Sequence, residues 1–193
     1  MTRGNHELRD FYRMIREQVL TFYDEEIWQL VIDILNEIPI GIILDERIFV
    51  VHGGIVRPDL QIEEIRHIQR GIDMEETSTV EEKLMVSLLW AETSEENGII
   101  VDEKRGHVFG PDITDKFLQN NNLELIVRAH SYHKLGSYES HEGRVITIHS
   151  APDFNEEEIH YGAFMNVNSA DREMHIKRFQ AVRRPIAIDW QKL

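Results

Sequence analysis

Arg3-Gly4-Asn5-His6-Glu7 stands at the very start of this 193-residue chain. Asn5 and His6 are adjacent and follow a glycine. Three later stretches answer them: Val50-Val51-His52-Gly53-Gly54, Val127-Arg128-Ala129-His130 and Thr147-Ile148-His149-Ser150-Ala151-Pro152. Each is a β-branched run that ends on a histidine. Such a run reads as a strand, and a strand delivers its last side chain to one edge of a sheet. Four such ends meeting at one edge would make a metal or phosphate site. A lone histidine behind an apolar run is more often a buried, hydrogen-bonded residue than a ligand. Repetition in this order shifts the weight toward a site.

Working outward, the pattern after Glu7 turns helical, with Phe11, Met14, Ile15, Val19 and Leu20 on one apolar face. Asp24 reads as the N-cap of a second helix, with Glu25 and Glu26 in its first turn. Trp28, Val31, Ile32, Leu35 and Ile38 form that helix's core face, and Pro39 ends it. Residues 40–44 and 47–51 are strand-like runs around Asp45-Glu46, a hairpin whose second strand feeds His52. Gly53 and Gly54 let the backbone turn beside that histidine. Residues 59–70 read as a short helix with a solvated charged face, and 71–82 as a polar loop. Residues 84–90 are a short apolar run, and the acid-rich stretch 91–104 is expected to be exposed and mobile. A helix over 111–120 turns Ile113 and Phe117 inward, and a strand over 123–127 leads to Arg128-Ala129-His130. Residues 131–140 are turn-rich, with His133 at the surface, and 144–148 form a strand. Residues 164–168 and 174–179 pair to close the fold, and Trp190 of the tail docks on the body. Helices early and strands late, with strands also between helices, predict an α/β mixed-sheet sandwich flanked by helices.

Composition bounds the function. The length suits a single domain over residues 1–193. A 41% hydrophobic and 29% charged content supports a packed core. The net charge of −14 argues against nucleic acid and against an anionic membrane surface as partners. It does not exclude an anionic substrate, which local cations recruit. With no cysteine there is no disulfide framework, no thiolate nucleophile and no thiolate ligand. No apolar run reaches the length of about 18 residues that a membrane-spanning helix needs. The polar start lacks an apolar signal segment. A cytoplasmic or nuclear protein is the expectation.

The chain resembles the metal-dependent phosphoprotein phosphatases, the serine/threonine phosphatases of the type-1, type-2A and calcineurin group. The matching residues run in the family's order from end to end: Arg3-Gly4-Asn5-His6-Glu7, Phe22-Tyr23-Asp24, Trp28, Ile38-Pro39-Ile40, His52-Gly53-Gly54, Leu88-Leu89-Trp90, Arg105-Gly106, Phe109-Gly110, Arg128-Ala129-His130 and Ser150-Ala151-Pro152. The resemblance implies a two-sheet metallophosphoesterase β-sandwich with helices outside and the site at the strand ends. It implies Asn5, His52 and His130 as ligands of one divalent metal ion. It makes His6 the general acid that protonates the leaving serine or threonine oxygen, and Arg105 a phosphate-gripping arginine. Arg128, two residues before a ligand, either binds phosphate or holds the loop. Two imidazoles and an amide oxygen suit manganese, iron or zinc better than calcium or magnesium. Phosphoprotein substrates and regulatory subunits are the implied partners. His149 has no ligand role by the resemblance and reads as structural, and His107 is near the site only by its neighbour Arg105.

The chain also departs from the pattern. The family's Gly-Asp-x-His-Gly and Gly-Asp-x-x-Asp-Arg-Gly segments do not occur, so the resemblance covers a C-terminal part that lacks its first strands. The second metal site is then incomplete, and the remaining ligand set carries no anion, which weakens metal affinity. Without an orienting carboxylate His6 is a poorer acid. Asp153-Phe154 stands where the family commonly has Asn-Tyr, so no hydroxyl reaches the phosphate from position 154. Three readings follow: an incomplete serine/threonine phosphatase, a catalytically dead pseudophosphatase that binds phosphopeptides or partners, and another metallophosphoesterase acting on nucleotides or diesters.

Overall fold

The computed structural model describes residues 1–8, 12–70, 79–102, 106–153, 160–168, 170–171 and 173–182. The chain divides into two compact units. One is Met1–Ser131 with Tyr138–Thr147, and the other is Tyr132–Ser137 with Ile148–Leu193.

The first unit opens with a 3-10 turn at Asn5–Glu7, followed by helices α1 (Tyr12–Phe22) and α2 (Glu25–Glu37). Asp24 caps α2 as its sequence requires, its carboxylate accepting from Glu26 N and Ile27 N, both at 3.1 Å. Strands β1 (Gly41–Leu44) and β2 (Ile48–Val51) form an antiparallel hairpin. Its turn residues Asp45 and Glu46 both take positive φ, 49° and 54°, which suits the right-handed strand twist. Strand β2 then pairs in parallel with β6 (Leu125–Arg128), and β6 in parallel with β8 (Val145–Ile148). With β7 (Ser137–Ser140) at the far side, the order is β1-β2-β6-β8-β7.

All four residues of β6 are buried, which is why Leu125-Ile126-Val127 runs apolar instead of alternating, with the buried Arg128 at its end. The largest core cluster sits on one side of this sheet. Phe49, Val51, Ile126 and Val145 meet Met85, Leu88 and Leu89 of α4 (Val80–Trp90) and Ile113, Phe117 and Leu118 of α5 (Pro111–Asn120). The Phe49 and Phe117 rings lie 5.6 Å apart. A short α3 (Ile62–His67) adds Ile65.

Two expectations change. The polar stretch around Thr79 is a helix start, not a loop: Thr79 Oγ1 accepts from Glu82 N at 3.2 Å and the Glu82 carboxylate returns the bond to Thr79 N. Glu82 is buried by this capping box. The stretch after Trp90 holds two strands and is not all loop. Strands β3 (Glu92–Thr93) and β4 (Ile99–Asp102) flank β5 (Gly106–Phe109) in a three-stranded sheet. The β-branched run Ile99-Ile100-Val101 outweighs the acids around it, because it has β5 to pair with.

In the second unit, β9 (Gly162–Val167) and β10 (Met174–Phe179) pair antiparallel over six residues, close to the predicted closing pair. No helix among the described residues is long and apolar enough to cross a membrane. Phe11, Phe154 and Trp190, all used in the sequence reading, lie outside the described residues.

Candidate active site

The opening turn sorts its residues by rotation. A 3-10 turn advances by about 120° per residue, so neighbours point in different directions. Asn5 is 7% exposed while His6 is exposed. The turn is closed by Glu7, whose carboxylate accepts from Gly4 N at 2.7 Å. Arg3 anchors its start from inside the protein. The buried Arg3 guanidinium donates to the carbonyl oxygens of Arg70 at 2.9 Å, Leu35 at 2.7 Å and Asn36 at 2.5 Å.

His52 follows directly from β2. Its ring Nε2 lies 2.8 Å from Asn5 Oδ1. Gly53 and Gly54 behind it both donate to Leu88 O, at 3.1 and 3.0 Å. These glycines are needed for close approach. A Cβ at Gly53 would stand 2.7 Å from Ala91 N, Leu88 O and Leu89 C, all backbone atoms, and one at Gly54 would enter the Phe109 ring.

His130 comes off β6 in a left-handed conformation, φ 61°, unusual for a residue with a side chain. Backbone strain of this kind, of order 1–3 kcal/mol, persists where the surroundings demand a particular direction. Here the turn brings the His130 ring within 5.2 Å of the His52 ring, and Trp90 packs edge-on against it at 5.3 Å. Ala129 N donates to His52 O at 3.0 Å, tying the two strand ends together.

Asn5, His52 and His130 therefore converge as the sequence predicted. Their chemistry fits a cation. Burial pushes His52 down to about 4, helped by His130, Arg128 and His6. Burial also lowers His130, with Glu92 opposing and Arg128 and His6 adding to the fall. Both imidazoles are thus neutral at pH 7, the form that can bind a metal. The 2.8 Å between Asn5 Oδ1 and His52 Nε2 is a hydrogen bond, which holds the two side chains together. Among the described residues no group of three or more His, Cys, Asp or Glu is placed to hold a metal. His6 is next to Asn5 in the opening turn and is exposed.

Arg128 has a different position from that of a phosphate ligand. Its side chain is fully buried. It donates to Gly53 O, to Ala91 O at 3.1 Å, to Ser131 Oγ at 2.6 Å, to Thr147 Oγ1 at 3.5 Å and to Glu92 Oε2 at 3.2 Å. Of the two roles the sequence left open, holding the loop is the one this geometry serves. Arg105 lies outside the described residues. His107, on β5, is half-buried and lowered by desolvation.

Glu92 is the residue that sequence reading missed. It accepts from Arg128 and Ser131, and its Oε1 lies 3.5 Å from His130 Nε2. It puts a carboxylate next to a ligand set that looked wholly neutral. The signal available was its place two residues after Trp90 in a matching motif; the acidic composition of the stretch hid it.

In the second unit, His149 exchanges backbone bonds with Gly136 and Ala163. Its ring stands edge-on to Tyr132 at 5.6 Å, and burial lowers its pKa. That is a structural residue. Asp153 Oδ1 accepts from His160 N at 3.2 Å.

The five-stranded sheet is mixed, with β2, β6 and β8 parallel at its centre, and His52 and His130 each follow closely on one of its strands. The calcineurin-like phosphoesterase pattern matches residues 1–134, and the chain belongs to that family, whose members work with divalent metal ions. Within it the chain is similar to named serine/threonine-protein phosphatases. It is 34% identical to serine/threonine-protein phosphatase T of Trypanosoma brucei brucei over 96% of this chain and 39% of that protein. It is 32% identical to serine/threonine-protein phosphatase 5 of Solanum lycopersicum over 96% of this chain and 33% of that protein. A solved structure of a Saccharomyces cerevisiae protein serine/threonine phosphatase, described as similar to human phosphatase PP5, superimposes with TM-score 0.84. That match has 27% identity and covers 95% of this chain and 61% of the other. The α/β fold is that of the metallophosphoesterases. The chain spans about a third to two fifths of the length of these curated relatives.

Proposed function

We propose that the chain carries the catalytic centre of a protein serine/threonine phosphatase. The observation that carries this reading is the convergence of Asn5, His52 and His130, with His6 next to Asn5 in the opening turn. Asn5, His52 and His130 would hold a divalent ion, with manganese, iron or zinc suited to two imidazoles and an amide oxygen. When bound, such an ion polarises the phosphoryl oxygens and lowers the pKa of water. His6, exposed at the rim, donates a proton to the leaving serine or threonine oxygen. Arg105 supplies positive charge to the phosphate. Glu92 and Arg128 act behind the ligands by fixing the loop that carries His130.

A second reading has its own support. With no group of three His, Cys, Asp or Glu placed for a metal among the described residues, a phosphopeptide-binding module without turnover would keep the same scaffold.

Phosphate release from a phosphoserine peptide separates the two. The purified chain is assayed with and without added manganese, beside His6→Ala. Manganese-dependent release that drops by about 100-fold or more in His6→Ala, the span expected for loss of a general acid, supports catalysis. Phosphopeptide binding without release by the folded chain supports the binding module and refutes the enzyme.

A further inference from the structure

Helix α2 carries two apolar stripes, and only one is covered. Trp28 is buried and Val31 and Leu35 are half-buried. Ile27, Leu30 and Ile34 face outward at 37, 52 and 63% exposure. A helix with one face on its own core normally shows polar residues on the other. The spacing 27–30–34 is three then four, the a and d seam of a coiled coil. Tyr23, also exposed, lies four residues before Ile27, just ahead of the helix.

The charges beside this seam are of one sign. In the heptad set by Ile27 and Ile34, Glu26 and Asp33 occupy the g positions, and both are exposed. Among the described residues Asp33 accepts from a neutral group in the same helix, the Gln29 amide at 3.0 Å. The e position is Val31, half-buried. In a coiled-coil pair, e and g charges choose the partner and its direction.

A second copy of this chain answers poorly. In an antiparallel pair of α2 helices, g faces g, so Glu26 and Asp33 would meet Glu26 and Asp33. In a parallel pair, g faces e, which is Val31. Neither arrangement supplies a cation, and each chain brings a net charge of −14. Like-charge juxtaposition at an interface is strongly unfavourable.

We propose that the outer face of α2 docks an amphipathic helix from a partner protein, one whose apolar seam is flanked by lysine or arginine. The partner's a and d side chains would cover Ile27, Leu30 and Ile34, and its cations would meet Glu26 and Asp33. This docking is independent of the metal and phosphate chemistry and of whether the chain turns over substrate.

The probe is a fluorescein-labelled synthetic helix of about three heptads with leucine at a and d and lysine at e and g. A companion peptide has glutamate in place of lysine. Anisotropy is followed with the whole 193-residue chain. The lysine peptide is expected to bind, more weakly as salt rises, and the glutamate peptide is not. Leu30→Glu should weaken binding about tenfold or more, since it removes an apolar anchor from the seam. Asp33→Lys should weaken the lysine peptide and strengthen the glutamate peptide; both substitutions are on the exposed face, and circular dichroism melts confirm the fold. Unchanged binding to Leu30→Glu and Asp33→Lys would mean general attraction to an acidic protein and would overturn the proposal. So would no binding of the lysine peptide. Self-association by sedimentation that rises with salt and vanishes in Leu30→Glu would overturn it too, assigning the face to a second copy.

Discussion

Replacing Glu92 with glutamine removes one charge and nearly preserves the side chain's shape. In the native protein that charge faces the Arg128 guanidinium at 3.2 Å, and the arginine side chain is fully buried. At an effective dielectric of about 20, unit charges at about 3.2 Å attract by roughly 5 kcal/mol. Two features reduce what the substitution removes. The Glu92 side chain is 27% exposed, so water screens part of the attraction. Four neutral acceptors, on Gly53, Ala91, Ser131 and Thr147, remain around Arg128. A loss of about 2–4 kcal/mol is therefore expected, in line with breaking a buried pair from one side. In a chain of this size that corresponds to a fall in Tm of roughly 4–16 °C. Denaturant unfolding of wild type and Glu92→Gln, followed by tryptophan fluorescence, reads it directly. Arg128→Met added to Glu92→Gln should cost less than the two single changes summed, because the stranded charge is gone. A loss below about 0.5 kcal/mol, within the range of ordinary surface substitutions, would refute the argument. The carbonyl oxygens of Gly53 and Ala91 would then be sufficient to hold the guanidinium.

Other substitutions probe separate links. Gly53→Ala should destabilise by about 2–3 kcal/mol, because its new Cβ meets three backbone atoms that have no rotamer to escape through; an unfolding midpoint equal to wild type would contradict it. Asn5→Ala should reduce manganese binding by isothermal titration while the thermal melt stays within about 1 kcal/mol of wild type, and unchanged affinity would remove Asn5 from the ligand set. Acid should weaken the fold through His141, which is buried between Thr114 Oγ1 at 2.7 Å and Ser94 O at 2.9 Å. Desolvation holds its pKa below the usual 6.5, so the unfolded chain takes up a proton first. The stabilisation is full above about pH 6.5 and is lost as pH falls toward the folded pKa; His141→Gln should show a shallower decline in unfolding free energy from pH about 7 to about 5. Asp24→Ala should remove about 1 kcal/mol by uncapping α2, read by denaturant midpoint.

Much of the fold was written locally. The hairpin at Asp45-Glu46, the Asp24 cap, the helix over 111–120 and the strands ending at His52 and Arg128 each rest on a few neighbouring residues. Turn chemistry and periodicity act over that same short range. The stretch 91–104 misled because its acids outnumber its apolar residues, yet Ile99-Ile100-Val101 needed only β5 alongside to become strand. Helix α4 was hard to see because it buries several sides at once, including Glu82, so no single apolar stripe marks it.

The site divides along the same line. The sequence determined that His52 and His130 would be delivered at strand ends, since each follows the β-branched run just before it. Tertiary structure alone decided which way each side chain faced. Arg128 turned inward because Gly53, Ala91, Glu92, Ser131 and Thr147 together bring acceptors to its guanidinium. Glu92 became part of the site because β3 lies where His130 turns. Gly53 had to be glycine because α4 ends against it. Burial, partnership and close approach are properties of residues distant in sequence, and no local pattern records them.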